Sequence, residues 1–400
     1  MPPRRRSPFL PVILAVLAVV VLLSAGIYLG GHPEDLPAPI RDALVSDNVK
    51  TTQEAFNLIE QDYYRKVKSS ALVNSGIAGA VASLHDRFSS YLDPAAYRRF
   101  LEQSKGQFSG IGTEVMPDKQ GLRVTRVFPG TPAAKAHIKV GDRIVAVAGA
   151  SIAGKPIEQT TSLIRGRPGT FVTITVESAK PPARRQLRVA RAQVSTPSVT
   201  SRLRTVNGVN LGYDAVAGFT SGVHGELRSA IERQRAAGAK GILIDMRSNG
   251  GGLLNEAVLV SSIFIDRGRV VSTKGRMPQA NRVYDATGGA LKGSFPIVVL
   301  VNHDTASAAE IVTAALQERR GAKVVGTHTF GKGVFQEVKE MSNGGALDIT
   351  VGQYFTPNGR NLGAGGIKEG AGIAPDIRVA NAKRQLDVAL NTIAAEARTR

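Results

Sequence analysis

The chain has 400 residues but no cysteine and no tryptophan, and only 5% of its residues are aromatic. Without cysteine it can form neither a disulfide framework nor a thiolate metal site. Its six histidines include no His-Glu-x-x-His pair, which argues against a zinc enzyme. We therefore expect no metal and no cofactor.

Acidic residues are also scarce, because 32 aspartates and glutamates stand against 51 lysines and arginines, for a net charge of +19. Nucleic-acid binding combines such an excess with a clustered basic face or with aromatic stacking residues. Here the basic residues are spread along the chain, so no nucleic-acid partner is expected. The excess is interpreted as a solvated basic surface that faces anionic lipid or cell-wall polymer.

One long apolar run is present, from Phe9 to Leu29, which is near the ~20 residues that span a bilayer as a helix. Three arginines precede it and two acidic residues follow it, which predicts an N-terminus inside and the rest of the chain on the extracytoplasmic side. Small residues at 24–26 would suit a cleavage site. Residues 1–31 are thus either a signal anchor, which we favour, or a removed signal peptide.

The rest of the chain divides into four segments by pattern. These are a Pro-rich tether with a helical segment (32–106), short β runs with turns (107–191), alternating strands and helices (192–380) and a basic helix (381–400). The predicted fold is an α/β core with an inserted, mainly-β domain. An apolar content of 42% is enough for two to three hydrophobic cores.

Ser307 is predicted at a strand-to-helix turn, between the apolar run 295–301 and a helix over 306–319. A helix N-terminus carries unpaired N–H groups and partial positive charge, so the amide that follows a serine there can bind an oxyanion. The simpler interpretation is a capping box, since Glu310 follows three residues later.

Lys332 lies between two glycines, with Phe330 and Phe335 nearby. An amine accepts a proton at neutral pH only if its pKa is lowered, and burial among apolar neighbours has that effect. The simpler interpretation is a solvated loop cation.

Two motifs, Thr305-Ala-Ser307-Ala-Ala-Glu310 and Thr329-Phe-Gly-Lys332-Gly, resemble those of the C-terminal processing peptidases. These are serine/lysine endoproteases with a PDZ domain inserted in the protease core. The third residue of their motif Ser-Ala-Ser-Ala-Ser/Ala-Glu is the nucleophile. The resemblance implies Ser307 as nucleophile, Lys332 as general base and Gln336 as the residue that orients the lysine.

The stretch Gly241-Ile-Leu-Ile-Asp-Met-Arg-Ser-Asn-Gly-Gly-Gly252 is similar to the family's strand followed by Asp-Leu-Arg-x-Asn-Pro-Gly-Gly, with Gly250 in place of the proline. In the family an amide of this loop and the amide after the nucleophile form the oxyanion hole, which implies Gly251 and Ala308. A plain strand-to-helix turn would also use a triple glycine.

Residues 107–191 resemble a PDZ domain, most clearly at Pro129-Gly-Thr-Pro-Ala-Ala and Val140-Gly-Asp-Arg-Ile. PDZ domains add a peptide to a sheet edge and hold its free carboxylate at a Gly-Ile-Gly loop, here Gly110, Ile111 and Gly112. Arg165 matches an arginine that could couple PDZ occupancy to the core, and a surface turn cation explains it equally well.

Other hydrolase and nucleotide-binding patterns fit less well. Gly326-Thr-His-Thr-Phe-Gly-Lys332 fits a P-loop, but Gly333 takes the position of the magnesium-binding hydroxyl and a strand pattern follows it. No lysine follows a serine at the Ser-x-x-Lys spacing, and no Gly-x-Ser-x-Gly motif is present. A serine–histidine arrangement through His303 stays open.

The main hypothesis is an extracytoplasmic endopeptidase that binds the exposed, apolar C-terminal tail of a protein substrate and cleaves near it through an acyl-enzyme on Ser307. The alternative is a non-catalytic, membrane-anchored module that only binds tails. Partners are therefore protein substrates and, through residues 1–31, the membrane. Self-association and an adaptor protein are left open.

Overall fold

The computed structural model describes residues 47–179 and 182–399. The predicted anchor over Phe9–Leu29 lies outside these residues. Within the described ranges no helix is long and apolar enough to cross a bilayer. The chain divides after Ser83 into two compact units.

In its described part, the first unit holds two helices, α1 (Asp47–Asp62) and α2 (Ser69–Ala82). Phe56, Ile59 and Tyr63 follow the i, i+3, i+7 spacing of an apolar helix face, which predicts a helix here. Phe56 and Ile59 lie on α1, and Tyr63 directly follows it. The ring of Phe56 contacts Gly76, where a Cβ would come within 2.9 Å of it, whereas Ile59 and Tyr63 remain 41% and 49% exposed.

The second unit begins with a short strand where the sequence predicted helix throughout residues 48–105. That prediction is wrong over 83–93, because β1 (Ser90–Leu92) pairs with a core strand at residues 346–348. The predicted helix start at Asp93-Pro94 is confirmed for α3 (Pro94–Ser104). Asp93 Oδ1 accepts hydrogen bonds from the amides of Ala95 and Ala96 at 2.8 and 2.7 Å.

The chain enters and leaves a separate β domain through a two-stranded ribbon. Strands β2 (Gln107–Gly110) and β9 (Ala192–Ser195) form this ribbon and run antiparallel, with Gly110 opposite Ala192. The domain between them is a six-stranded sheet ordered β3-β4-β5-β7-β8, with β6 paired to β5. Its elements are β3 (Thr113–Asp118), β4 (Gly121–Val127), α4 (Pro132–Lys135), β5 (Arg143–Val147), β6 (Ala150–Ser151), α5 (Ile157–Ile164), β7 (Phe171–Ala179) and β8 (Pro182–Ala190).

Strand and helix alternate in the remaining core, as predicted. Its sheet has the order β10-β11-β12-β15-β16-β19, parallel except for β10. The elements are β10 (Val199–Val206), β11 (Val209–Val216), α6 (Val223–Ala236), β12 (Ile242–Asp245), α7 (Leu254–Ser262), β15 (Ile297–Val301), α8 (Ala308–Arg320), β16 (Lys323–Gly326), β19 (Ile377–Arg378) and α9 (Ala382–Arg398).

Buried strand residues alternate between the two faces of this sheet, as expected for strands covered on both sides. Ile242 and Ile244 pack in one hydrophobic cluster with α6, α7 and α8, whereas Leu243 packs in a second cluster with α9. The C-terminal helix, for which the sequence predicted only a basic character, therefore belongs to the core through Ala389 and Ile393.

A second sheet carries the lysine motif. It comprises β13 (Arg269–Gly275), β14 (Arg282–Asp285), β17 (Val334–Glu340) and β18 (Ala346–Phe355), in the order β1-β18-β13-β14 with β17 also on β18. Lys332 lies two residues before β17. The stretch Gly372-Ile-Ala-Pro-Asp376 resembles a closing strand of the same peptidase family, which predicts a strand here. That prediction is wrong, because Ile373 donates its amide to Thr329 Oγ1 at 2.6 Å rather than to a strand, and pairing begins at Ile377.

Candidate active site

Ser307 lies where β15 turns into α8, with its backbone in a conformation that favours glycine. Its φ angle is 56°, a left-handed conformation that costs a non-glycine residue about 1–3 kcal/mol. The residue is 7% exposed. Its amide donates to Glu310 Oε2 at 2.9 Å, and the preceding amide of Ala306 donates to the carbonyl of Asn249 at 2.9 Å. The surrounding structure thus holds the strained turn in place.

Glu310 joins the serine and lysine motifs through one buried carboxylate. Oε1 accepts from Thr329 Oγ1 at 2.6 Å and from the Gly331 amide at 2.7 Å. Oε2 accepts from the amides of Ser307 and Lys332, both at 2.9 Å. Burial raises the pKa of this carboxyl above its usual value, although the four donors oppose the rise. The sequence had suggested only a capping box here, and the structure adds three donors from the lysine loop.

Lys332 is partly buried, and its ammonium position is defined by two contacts. Nζ donates to Gln336 Oε1 at 2.7 Å and lies 4.6 Å from the ring centre of Phe88. Burial lowers the pKa of Lys332 below its usual value, although the carboxylates of Asp348, Asp86 and Glu310 work against this. The direction is the one that a lysine acting as a general base requires.

Ser307 and Lys332 are connected through the Glu310 carboxylate. No hydrogen bond joins Lys332 Nζ to Ser307 Oγ in the part of the chain that the structure describes. Ser307 instead interacts with the hydroxyl of Tyr354, whose pKa is raised by burial and by the nearby Tyr284. Catalytic hydrogen bonds are often long in the absence of substrate and shorten only in the substrate complex.

Gly251 lies directly against Ser307. A Cβ at this position would come within 2.8 Å of Ser307 Cβ and 3.0 Å of the Ala308 amide nitrogen, so only glycine fits. The Gly251 amide itself donates to Asn249 Oδ1 at 2.9 Å. This amide must turn away from Asn249, or share its hydrogen, before it can bind an oxyanion together with Ala308.

His303 is placed differently from a catalytic base. Its side chain is 67% exposed, and Nδ1 lies 3.0 Å from Asp304 Oδ1. Within residues 47–179 and 182–399, no hydrogen bond connects it to Ser307. Because His303 is largely exposed, whereas Lys332 is partly buried and shares Glu310 Oε2 with Ser307, the geometry favours Lys332 over His303 as the partner of the serine.

The Gly-Ile-Gly loop lies at the end of a groove between β3 and α5. Gly110 and Ile111 line this groove, which has a volume of about 540 Å³. Gly112 has a φ angle of 93° and lies so close to Thr131 that a Cβ would approach its side chain to 2.3 Å. Apolar side chains form part of the groove walls, namely Phe108, Val115, Phe128, Ile157 and Ile164.

Arg165 follows the last residue of α5 and lines the same groove, beside Glu114 and Arg126. Arg165 is exposed, and it belongs to this groove rather than to the cluster around Ser307. Its proposed coupling to the core stays a prediction.

Several residues of the site were missed at the sequence level. Asp86 and Phe88 reach Lys332 from the segment before β1, whereas Thr350 reaches Gln336 and Tyr354 reaches Ser307 from β18. A single sequence gives no signal for such contacts, because they depend on which strands pair. Glu310 was visible only as the last residue of a capping box.

Three family models match the chain. They are described as Peptidase family S41 (residues 210–379), PDZ domain (123–178) and Activating protease CtpB N-terminal domain (38–96). The chain is also 31% identical, over 377 residues, to a Staphylococcus haemolyticus protein named Probable CtpA-like serine protease, with 93% of this chain and 73% of that protein covered.

Solved structures show the same similarity. The chain is 27% identical to the photosystem II D1 C-terminal processing protease, with 84% and 94% of the two chains covered and a TM-score of 0.49. It is 17% identical to a Bacteroides fragilis protein classed as an S41 protease, with 85% and 96% covered and a TM-score of 0.53. The second similarity supports the fold alone.

Proposed function

Since the chain belongs to peptidase family S41 and its C-terminal processing peptidases, we propose that it cleaves proteins near their C-termini through an acyl-enzyme on Ser307. Lys332 is the general base and Gln336 orients it. The observation that carries the proposal is the shared Glu310 oxygen, which accepts from the amides of both Ser307 and Lys332 and so keeps the two residues adjacent.

The chemistry follows from the ionisation of the lysine. Neutral Lys332 takes the proton of Ser307 Oγ as this oxygen attacks the scissile carbonyl carbon. The ammonium then gives that proton to the leaving amine, which departs and leaves an acyl-enzyme. The same amine then activates a water molecule, which hydrolyses the acyl-enzyme ester and releases the new C-terminus. The amide of Ala308, at the N-terminus of α8, and that of Gly251 stabilise the oxyanion.

Substrate selection begins in the PDZ domain. We assign the amides of Gly110, Ile111 and Gly112 to the free carboxylate of the substrate tail, and the apolar groove beside them to its last side chains. A tail added along β3 would be held by backbone hydrogen bonds, and its side chains would give specificity. We propose that Arg165, at the groove, couples the binding of a tail in the PDZ domain to the protease core.

We also propose that cleavage takes place on the extracytoplasmic side, with residues 1–31 as the anchor or signal. This part of the proposal depends on sequence alone, through the three arginines before the apolar run. Protease accessibility of the folded domain in intact cells and in spheroplasts tests it. Protection in both preparations would contradict it.

The cleavage proposal is tested by incubating the full chain with a protein that ends in an apolar tail and identifying the cut ends by mass spectrometry. Ser307→Ala should abolish cleavage while tail binding persists, and Lys332→Arg should be nearly as damaging because a guanidinium stays protonated. Activity in Lys332→Arg that is lost in His303→Ala would favour a histidine base. If Ser307 fails to react with a serine-directed phosphonate even with a tail peptide bound, the protein is a tail-binding module instead.

A further inference from the structure

A series of hydrogen-bonded polar side chains extends from the amine of Lys332. Lys332 Nζ donates to Gln336 Oε1 at 2.7 Å, and Gln336 Nε2 donates to Thr350 Oγ1 at 2.9 Å. Gln336 and Thr350 are directly paired residues of β17 and β18. Asp86, in the segment before β1, is tied to the Thr350 amide through Ser89 Oγ, and the Thr350 side chain acts on its carboxylate to lower the pKa of Asp86.

The carboxylate at the end fixes the direction of every bond in this series. An ionised carboxylate only accepts hydrogen bonds, whereas a hydroxyl has one hydrogen to donate. Thr350 therefore gives its hydrogen to Asp86 and can only accept from Gln336. The amide must turn Nε2 toward Thr350, which leaves Oε1 facing Lys332.

Asp86 is held in its ionised form by its surroundings. Burial raises its pKa, but hydrogen bonds from Ser89, Thr350 and the Phe88 amide, together with the nearby Lys332, hold the pKa below its usual value. Ser89 Oγ donates to Asp86 Oδ2 at 2.6 Å and accepts from the Thr350 amide at 3.0 Å. The same serine thus ties the carboxylate to the backbone of β18.

We propose that Asp86 and Thr350 are positioning residues for the lysine base, an inference that rests on the proposed function. They lock the Gln336 amide so that a neutral Lys332 donates an N–H to Oε1. The lone pair of the amine is then left for the proton of Ser307. Neither residue touches the substrate or the reacting atoms.

Losing the Thr350 hydroxyl should therefore act on the base from a distance. In Thr350→Val the Gln336 amide can rotate by half a turn and present Nε2 to Lys332. An N–H in that position donates to the lone pair of the neutral amine, which is then withdrawn from Ser307. The active fraction of the enzyme falls even where the lysine is fully deprotonated.

The pH–rate profile distinguishes this effect from a change in the carboxylate charges that face Lys332 and influence its pKa. They are Asp86 from the segment before β1, Asp348 from β18 and Glu310 from α8. All three remain in Thr350→Val, so the acid limb of its pH–rate profile should match that of the wild type. The turned amide binds only the neutral amine, so a loss of about tenfold in the alkaline plateau should come with a fall of about one pH unit in the midpoint. Asp86→Asn removes one anion and replaces an acceptor-only carboxylate by an amide that can also donate to Thr350, so the direction of the bonds is no longer fixed and both its midpoint and its plateau should fall.

The experiment compares full-length wild type, Thr350→Val, Thr350→Ser and Asp86→Asn over a range of pH. Two rates are measured, kcat for a tailed peptide and the phosphonate labelling of Ser307. We expect Thr350→Val to lose about tenfold or more of the plateau kcat with little change in KM, and Thr350→Ser to restore it within a few-fold. Thr205→Val is the matched control, because this strand threonine bonds the amide side chain of Asn210 far from the site.

Each outcome has one meaning. An unchanged plateau in Thr350→Val and in Asp86→Asn would overturn the positioning role. A wild-type chain that neither cleaves nor labels would instead overturn the proposed function. If Thr350→Val does not fold, as judged by circular dichroism, Asp86→Asn decides alone, since its side chain lies in a partly exposed segment outside the strands.

Discussion

Replacing Glu310 by glutamine tests how the active site is held together. The amide nitrogen must replace one of the two oxygens. On the Oε2 side it would face two backbone N–H groups, from Ser307 and Lys332, which cannot accept a hydrogen bond. On the Oε1 side it would face the Gly331 amide and Thr329, whose hydroxyl can accept as well as donate. The amide should therefore settle with its oxygen toward the catalytic pair.

The expected cost follows from that orientation. Three of the four donors keep a partner, and the Gly331 amide loses a charge-assisted bond worth about 1.5–3 kcal/mol. Relief of the buried charge offsets part of this, so we expect a loss near 2 kcal/mol. Glu310→Ala leaves all four donors unpaired and should cost at least about 4 kcal/mol. The matched control is Glu318→Gln on the same helix, which accepts one amide, that of Asn358, at 2.8 Å on the exposed surface.

Urea unfolding followed by circular dichroism gives the stabilities, and phosphonate labelling of Ser307 gives the state of the site. At a slope of about 3 kcal/mol/M, a 2 kcal/mol loss lowers the urea midpoint by roughly 0.7 M. Glu310→Gln should still label within about tenfold of the wild type. A folded Glu310→Gln that fails to label, or a Glu310→Ala as stable as the wild type, would refute the reasoning.

Three further predictions concern pH, the substrate tail and the PDZ loop. Because the folded pKa of Lys332 is lowered, kcat/KM should rise with pH through that pKa. The free energy of unfolding should also rise with pH between the folded pKa of Lys332 and its unfolded pKa of about 10.4. The cost of burying the protonated lysine is complete below this interval and absent above it. Lys332→Met should remove this pH dependence and end catalysis. Peptides with a free apolar C-terminus should be cut faster than the same peptides amidated there, and equal rates would contradict carboxylate capture at Gly110–Gly112. Gly112→Ala should weaken tail binding measured by calorimetry, since its φ is 93° and its Cβ would meet Thr131, whereas Gly130→Ala, with φ 75° and open space around it, should mainly report backbone strain.

The sequence was most informative where local pattern decides structure. The turn before α8, the strand at β17 and the cap at Asp93 follow from short-range rules, and all three are present in the fold. Strand β1 escaped prediction because three residues form a strand only through their partner β18. Likewise, the sequence of the C-terminal helix predicted its basic character but not which of its sides is buried, because that depends on the sheet it covers.

The candidate site likewise contains residues that the sequence predicted and residues that it did not. The resemblance of two local motifs to those of the C-terminal processing peptidases pointed to Ser307 and Lys332, and to Gln336 four residues further on. The atoms that set their properties come from far along the chain: Asp86 reaches the lysine across more than two hundred residues, and Tyr354 reaches the serine from another sheet. Burial, which lowers the lysine pKa, is a property of the packed fold and has no counterpart in a single motif.

The ribbon of β2 and β9 has a consequence for how such a protein can change over evolution. Because Gly110 and Ala192 lie opposite each other, the residues between them leave the core and return to it at a single point. A recognition domain joined in this way can be lengthened, exchanged for one with another preference, or replaced by a short hairpin turn, without altering the spacing of the strands that hold Ser307 and Lys332. The two halves of the proposed activity, selecting a tail and cleaving a chain, can therefore be inherited and redesigned separately.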